Sequence, residues 1–211
     1  MSATALLFAS CSKKSTNEVK PQDTNKVTID GTDYATVTIG TQTWTAVNYN
    51  GSGGTNYNGT ANNPTYGKFY TLAEAKAITL PSGWRLPTKA DAETLMLFLG
   101  ATKDEDGYVE GEADVSTKLK SKSDWTLTQG TNTSGFNAYP AGQSNDGTTY
   151  DAKGTLATFW TSTALTSDAN SQYVFGTFND KDGGMTFDYI GTDYTPHASK
   201  SRFSLRFVRD K

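Results

Sequence analysis

The sequence predicts an α+β, loop-rich domain in which two short helices flank small twisted antiparallel sheets. Three observations lead there. Two segments carry complete helix-start grammar, Thr71-Leu-Ala-Glu74 and Thr88 with Asp91. Several short apolar runs alternate with period two and are bounded by Gly, Asn and Asp. Hydrophobic content is only 35%, yet the chain holds 4 Trp, 11 Tyr and 10 Phe, so its core must be largely aromatic.

Ala3 to Ser10 is a short apolar run that ends at Cys11, the single cysteine. Leu7-Phe8-Ala9-Ser10-Cys11 resembles the end of a bacterial lipoprotein signal, in which cleavage before the cysteine leaves a thiol to be acylated. No Lys or Arg precedes the run, which points to a start upstream of Met1 or to a weak signal. The expected division is therefore a signal peptide over 1–10, an acylated Cys11 with a flexible tether over 11–26, and one domain over 27–211. The tether, SKKSTNEVKPQDTNK, has no aromatic residue and one Val, too little apolar surface to offset the entropy of ordering it.

The folded part is expected to open with Val27 and Ile29 in a strand, a hairpin turn at Asp30-Gly31, and a second strand carrying Tyr34, Val37 and Ile39. Gly40 breaks that run, and Gln42 to Val47 with Trp44 closes a meander. Residues 48–63, rich in Gly and Asn, read as a surface loop. The first helix follows Thr71. Pro81-Ser-Gly-Trp84 is a turn with an aromatic anchor, after which Arg85, Leu86 and Pro87 lead to the N-cap Thr88. Ala92, Leu95, Met96 and Leu99 then recur at helical spacing until Gly100. An acidic loop spans 102–114, balanced by Lys118, Lys120 and Lys122. Further strands are expected near Phe136–Tyr139, Phe159–Ser162, Tyr173–Phe178, Met185–Tyr189 and Phe203–Val208, with turns at Asn145-Asp-Gly147, Asp182-Gly-Gly184 and Pro196. In the last strand Phe203, Leu205 and Phe207 share one face.

Composition excludes several functions. Net charge is −3 with Lys and Arg scattered, so there is no electrostatic footprint for nucleic acid. No run of about 20 apolar residues exists to span a bilayer as a helix. A lone cysteine forbids an intramolecular disulfide. The single histidine, His197, lies beside Pro196 in a polar stretch and reads as a solvated loop residue rather than a catalytic base. A tetrahedral zinc site has too few ligands.

The order of segments resembles the Fibrobacter succinogenes major paralogous domain. The resemblance rests on seven blocks. They are Asp33 to Trp44 with Ala46 and Asn48, Tyr66 to Thr71, Pro81 to Thr88, Lys118 to Ser121 with Trp125, Gly135 to Gly142, Phe159 to Thr163 and Phe203 to Asp210. Two cysteines usual in the family are replaced by Leu80 and Phe207, which implies a lost disulfide compensated by apolar packing. The Gly-Trp-Arg-Leu-Pro-Thr block is also similar to the formylglycine-generating enzyme family, whose fold is C-type-lectin-like. That implies such a fold here, with termini on adjacent strands, but not that activity, which needs metal-binding thiols.

The resemblance implies a cell-envelope lipoprotein of the bacterial outer membrane, not an enzyme, that binds a glycan or a surface protein in adhesion or display. The alternatives are a structural subunit of a surface assembly and, third, a carboxylate-based glycan-active enzyme. Lys13 and Lys14 after Cys11, in place of an acidic run, argue against a surface-export signal, and whether the domain faces the periplasm or the exterior stays open. Candidate ligand-binding residues are Asn145, Asp146, Tyr150, Asp151, Asn179, Asp180, Asp182 and Tyr189, with calcium as the candidate ion at Asp180 and Asp182 and no other cofactor. Trp44, Tyr70, Trp84, Arg85, Leu86, Thr88 and Trp160 are expected to be structural.

Overall fold

The computed structural model describes residues 25–61, 63–110, 113–165, 172–178, 185–190 and 199–211, and for residues 110, 178 and 185–190 the backbone alone. The signal-like segment, Cys11 and most of the tether lie outside the described residues, as do Asn179, Asp180, Asp182, His197 and the turns at 182–184 and Pro196. The fold is α+β, with few helices and curled antiparallel sheets. No helix among the described residues is long and apolar enough to cross a membrane.

Strands β1 (Lys26–Ile29), β2 (Thr32–Ile39) and β3 (Gln42–Thr45) form the expected meander. Asp30 and Gly31, at φ 48° and 75°, make the tight turn that matches strand twist. In β2 the first half pairs with β1 and the second half with β3. The strand thus changes partner at Ala35–Thr36. This explains why its apolar residues break strict alternation: Tyr34 packs in one aromatic cluster with Val27 and Ile29, whereas Ile39 and Val37 pack in another around Trp44.

Both sequence-predicted helices form. Helix α1 (Leu72–Ala77) begins at a capping box between Thr71 and Glu74, and α2 (Lys89–Phe98) at one between Thr88 and Asp91. Gly100, at φ 110°, lets Ala101 N–H reach back to Met96 C=O at 3.0 Å and closes α2. Ala92, Leu95 and Met96 bury against Trp44 and Phe136. Asp91 does more than cap. Its Oδ1 accepts from Gln42 at 3.0 Å and Arg85 at 2.6 Å, and Gln42 in turn accepts from the Trp44 indole at 3.2 Å. The helix start is thereby tied to β3 and to the turn before it.

The sequence reading needs correction in several places. The acidic segment is a small hairpin, β4 (Thr102–Lys103) and β5 (Val109–Glu110), followed by a third helix, α3 (Ala113–Leu119). Lys118 pairs with Asp114 and donates to Leu99 C=O at the end of α2. Lys120, expected to balance the acidic loop, is buried with its ammonium 4.7 Å from the Trp125 ring centroid. Residues 136–139 form no strand, because Asn137 sits at φ 58° and interrupts extended backbone. The terminal strands are not adjacent: the sheet order is β1-β2-β3-β9, with β9 at Val208–Asp210.

The second sheet holds β6 (Leu156–Ala164), β7 (Gln172–Phe178) and β8 (Met185–Ile190) in antiparallel order. Residues 202–208 join it to the first. This segment makes isolated ladder contacts to Ser144, Tyr70, Phe159 and Arg85 in turn, with backbone bonds to Tyr49 and Thr45 between them. Sheet backbone therefore lies on several sides of it. Ser204 and Arg206 are as buried as Phe203, Leu205 and Phe207, contrary to a one-faced strand. Leu80 and Phe207 share an apolar cluster with Trp84 and Leu205.

Arg206 is fully buried. Its guanidinium donates to Asn48 Oδ1 at 2.6 Å, Thr45 C=O at 2.8 Å, Phe136 C=O at 2.7 Å and Asn137 C=O at 2.9 Å. The Phe136 and Phe159 rings lie 4.8 and 5.5 Å from it. Burial pulls its pKa below the ordinary arginine value. Among the described residues no carboxylate pairs with it, and these bonds hold the charge there.

Two stability outcomes follow from these contacts. Thr88→Ala removes one capping bond and is expected to cost about 1 kcal/mol. Arg206→Met strands three backbone carbonyls and the Asn48 amide oxygen, and is expected to cost more than about 3 kcal/mol. Urea unfolding followed by Trp fluorescence reads both, and equal losses would contradict this ranking.

Candidate functional site

The loop between β3 and α1 is a built surface rather than a slack connection. Thr55 and Phe69 exchange backbone bonds at 2.9 Å, which closes residues 56–61 and 63–68 into a lobe. A single 3-10 turn, Tyr57–Gly59, sits at its tip. At the base, Gly67 takes φ 72°, and a Cβ there would lie 2.6 Å from Asn48 Cβ, so no larger residue fits without moving the lobe. The facing wall is the turn after Tyr150, where Ala152 C=O receives Thr155 N–H and Pro140 C=O receives Gly154 N–H. That turn presents Lys153.

Between the two walls lies a cleft of about 20 Å³ lined by Asn56, Tyr57, Asn63, Tyr66, Phe69, Ala141 and Lys153, among others. Phe69 and Ala141 are buried and pack with Tyr150, Tyr57 and Tyr66 as a small aromatic cluster of their own. Tyr57 and Tyr66 remain half-exposed at the rim. The Lys153 ammonium stands 5.3 Å from the Tyr57 ring centroid and 4.9 Å from that of Tyr66. Asn56 Oδ1 is buried and has no hydrogen-bond partner among the described residues. Burial, with the negative charge of Asp124 beside it, pushes the Tyr66 phenol up.

The candidates read from sequence fall into three groups. Tyr150 belongs to this site from beneath: it is 9% exposed, its hydroxyl bonds Thr55 Oγ1, its carbonyl accepts from Tyr57 at 3.2 Å, and its ring packs on Phe69 and Tyr57. It positions the rim tyrosine and offers no open face of its own. Asn145, Asp146 and Asp151 lie on the neighbouring turn. Asn145 C=O accepts from Ser201 at 2.9 Å, and Asp146 Oδ1 accepts from Thr149 and Thr148 N–H at 2.6 and 2.8 Å. Those two N–H groups hold the Asp146 carboxyl well below the usual carboxylate range. Asp151 is shifted up, by burial first and then by the charge of Asp146. The third group, Asn179, Asp180, Asp182 and the Tyr189 side chain, lies outside the described residues.

Among the described residues no cluster of three or more His, Cys, Asp or Glu side chains is gathered as a metal cage. In the acidic segment Asp104 Oδ1 instead accepts from Tyr108 N–H at 2.7 Å and closes the β4–β5 turn. The residues expected to be structural are in the core or its frame. Trp44, Tyr70 and Trp160 are buried, with the Trp160 indole donating to Tyr70 C=O at 2.7 Å. Arg209 stacks on Trp84 at 5.4 Å, and Leu86 packs in the same cluster as Trp84.

Sequence reasoning missed Asn56, Tyr57, Tyr66 and Lys153 as a group. One signal was present: Tyr57 is a large aromatic residue in a Gly/Asn-rich loop, where no strand or helix period demands it.

Residues 37–209 match the model of the Fibrobacter succinogenes major domain. The chain belongs to that family. The residues that line the cleft all lie inside the matched region. No curated protein and no solved structure matches the chain.

Because the folded pKa of Asp146 lies below its ordinary value of 3.8, the stability it contributes is present above that pH and is lost as the pH falls through the folded value. Asp146→Asn is therefore expected to lower the urea midpoint at pH 7 by more than at pH 2. A constant difference across that range would show that the carboxylate charge does not hold this turn.

Proposed function

We propose that this domain is a non-catalytic binding module of the cell envelope, of C-type-lectin-like fold, which holds a glycan at the Tyr57–Tyr66–Lys153 cleft. The observation that carries the reading is the pairing of half-exposed tyrosine rings with amide and ammonium groups in one concave site. Sugar rings offer C–H faces that stack on aromatic rings and hydroxyls that need hydrogen-bond partners, so this residue mixture suits them. The loop is held by Tyr150 and the Thr55–Phe69 ladder before any ligand arrives, which limits the ordering cost of binding. Adhesion or display follows if Cys11 carries lipid and the stretch after it tethers the domain to the outer membrane.

A second reading, a structural subunit of a surface assembly, is favoured by Phe98 and Tyr108, which are 63% and 62% exposed near α2 and the β4–β5 turn. Sedimentation of the wild type and of Phe98→Ser separates the two readings. Self-association lost in the variant supports assembly, and a monomer in both supports the binding module.

The direct test is a glycan array probed with the full chain, with and without a calcium chelator. Saturable binding that survives chelation and falls about fivefold in Tyr57→Ala is expected, since a stacking contact contributes about 1 kcal/mol. Binding that vanishes on chelation and ignores Tyr57→Ala would instead move the site to the loop with Asp180 and Asp182. Cys11→Ser is expected to shift the protein from the membrane to the soluble fraction, and unchanged membrane association would refute the lipid anchor.

A further inference from the structure

We infer, on the basis of the glycan-binding reading above, that the cleft recognises an acetamido group, so that its ligand is a glycan containing N-acetylated hexosamine. Three parts of the cleft call for three parts of that one group. The depth is apolar, formed by Phe69 and Ala141, which are 1% and 2% exposed, and it suits a methyl group. Asn56 lines the wall with an amide oxygen that meets no donor among the described residues. Turned about its soft terminal torsion, that amide presents the oxygen to an incoming N–H and recovers a bond the closed wall lacks. The Lys153 ammonium at the mouth donates to a carbonyl oxygen. Among the described residues it forms no ion pair with a carboxylate, and it is held between the Tyr57 and Tyr66 rings.

Size agrees with chemistry. An interior of about 20 Å³ is little more than the room one water needs, so it admits the methyl end of the group alone, and the amide and the sugar ring must lie toward the rim, against the tyrosines. Other sugar substituents fit less completely. A hydroxymethyl group donates and accepts but leaves the apolar depth unfilled. A uronate carboxylate satisfies Lys153 yet brings no donor to Asn56. A free hexosamine ammonium meets the like charge of Lys153.

The test is calorimetric titration of the full chain with four trisaccharides: chitotriose, its de-N-acetylated form, cellotriose and trigalacturonate. Chitotriose is expected to bind at least about tenfold more tightly than each of the others, the discrimination typical of a buried hydrogen-bonding group. Lys153→Met and Asn56→Leu are each expected to weaken chitotriose about tenfold. Lys153 is exposed, so its replacement should leave thermal unfolding unchanged, and Lys153→Arg should retain most of the binding. Tyr108→Ala, remote from the cleft, serves as the unchanged control. Equal or tighter binding of cellotriose or trigalacturonate overturns the acetamido assignment while the glycan-binding reading stands. Failure of all four ligands overturns the assignment as well, and only silence across a broad glycan array removes the underlying reading with it.

Discussion

A buried guanidinium with no counter-ion among the described residues is the constraint on which the architecture depends. Arg206 can remain in the interior only while Thr45, Asn48, Phe136 and Asn137 keep their oxygens around it. Those four residues come from the end of β3, the loop after it, and the irregular segment ahead of the second sheet. One side chain therefore sets the distance between three parts of the chain that share no regular ladder. The Phe136 and Phe159 rings complete the cage, so the aromatic core and the charge stabilise the same geometry.

The segment that carries Arg206 performs the same joining role with its backbone. Between Arg202 and Val208 the chain exchanges bonds with Ser144, Tyr70, Thr158, Trp160, Tyr49, Thr45 and Arg85. Such contacts let a chain with few long strands bury its backbone polar groups, each of which must find a partner when removed from water. They also explain the irregular look of the fold: extended stretches serve one or two ladder positions and then turn. The candidate site benefits from this arrangement. Phe69 and Tyr70 are adjacent, so the lobe that frames the cleft is anchored at the point where the C-terminal segment bonds Tyr70.

The site also illustrates how aromatic residues were divided between two tasks. Tyr49 packs against Tyr34, Tyr70 and, edge-on, Phe207, and the three tyrosines Tyr34, Tyr49 and Tyr70 place their hydroxyls on Asn50, Asp30 and Gly51. Burial, aided for Tyr49 by the Asp30 carboxylate, raises the phenol pKa of both Tyr49 and Tyr70, so these hydroxyls stay donors. Tyr57 and Tyr66, in contrast, rest on a small satellite cluster and keep one side toward solvent. Composition announces many aromatic residues but does not say which of them will be left uncovered.

By itself the sequence determined what depends on near neighbours. The capping boxes at Thr71 and Thr88, the Asp30-Gly31 hairpin, the stop at Gly100 and the Asp146 turn are settled within three or four residues, where spacing alone brings donor to acceptor. The ordered blocks also carried the family resemblance, because they hold these local devices in a fixed sequence. Tertiary structure decided the rest. It placed a helix at Ala113–Leu119 beneath an acidic stretch, buried Lys120 and Arg206 against alternation, and made Tyr150 a support for Tyr57. It also assembled a cleft from residues as distant in sequence as Asn56 and Lys153. The physical reason is separation along the chain: the partners of Arg206 lie between 69 and 161 residues away, and no periodicity reports which distant carbonyls will surround a side chain.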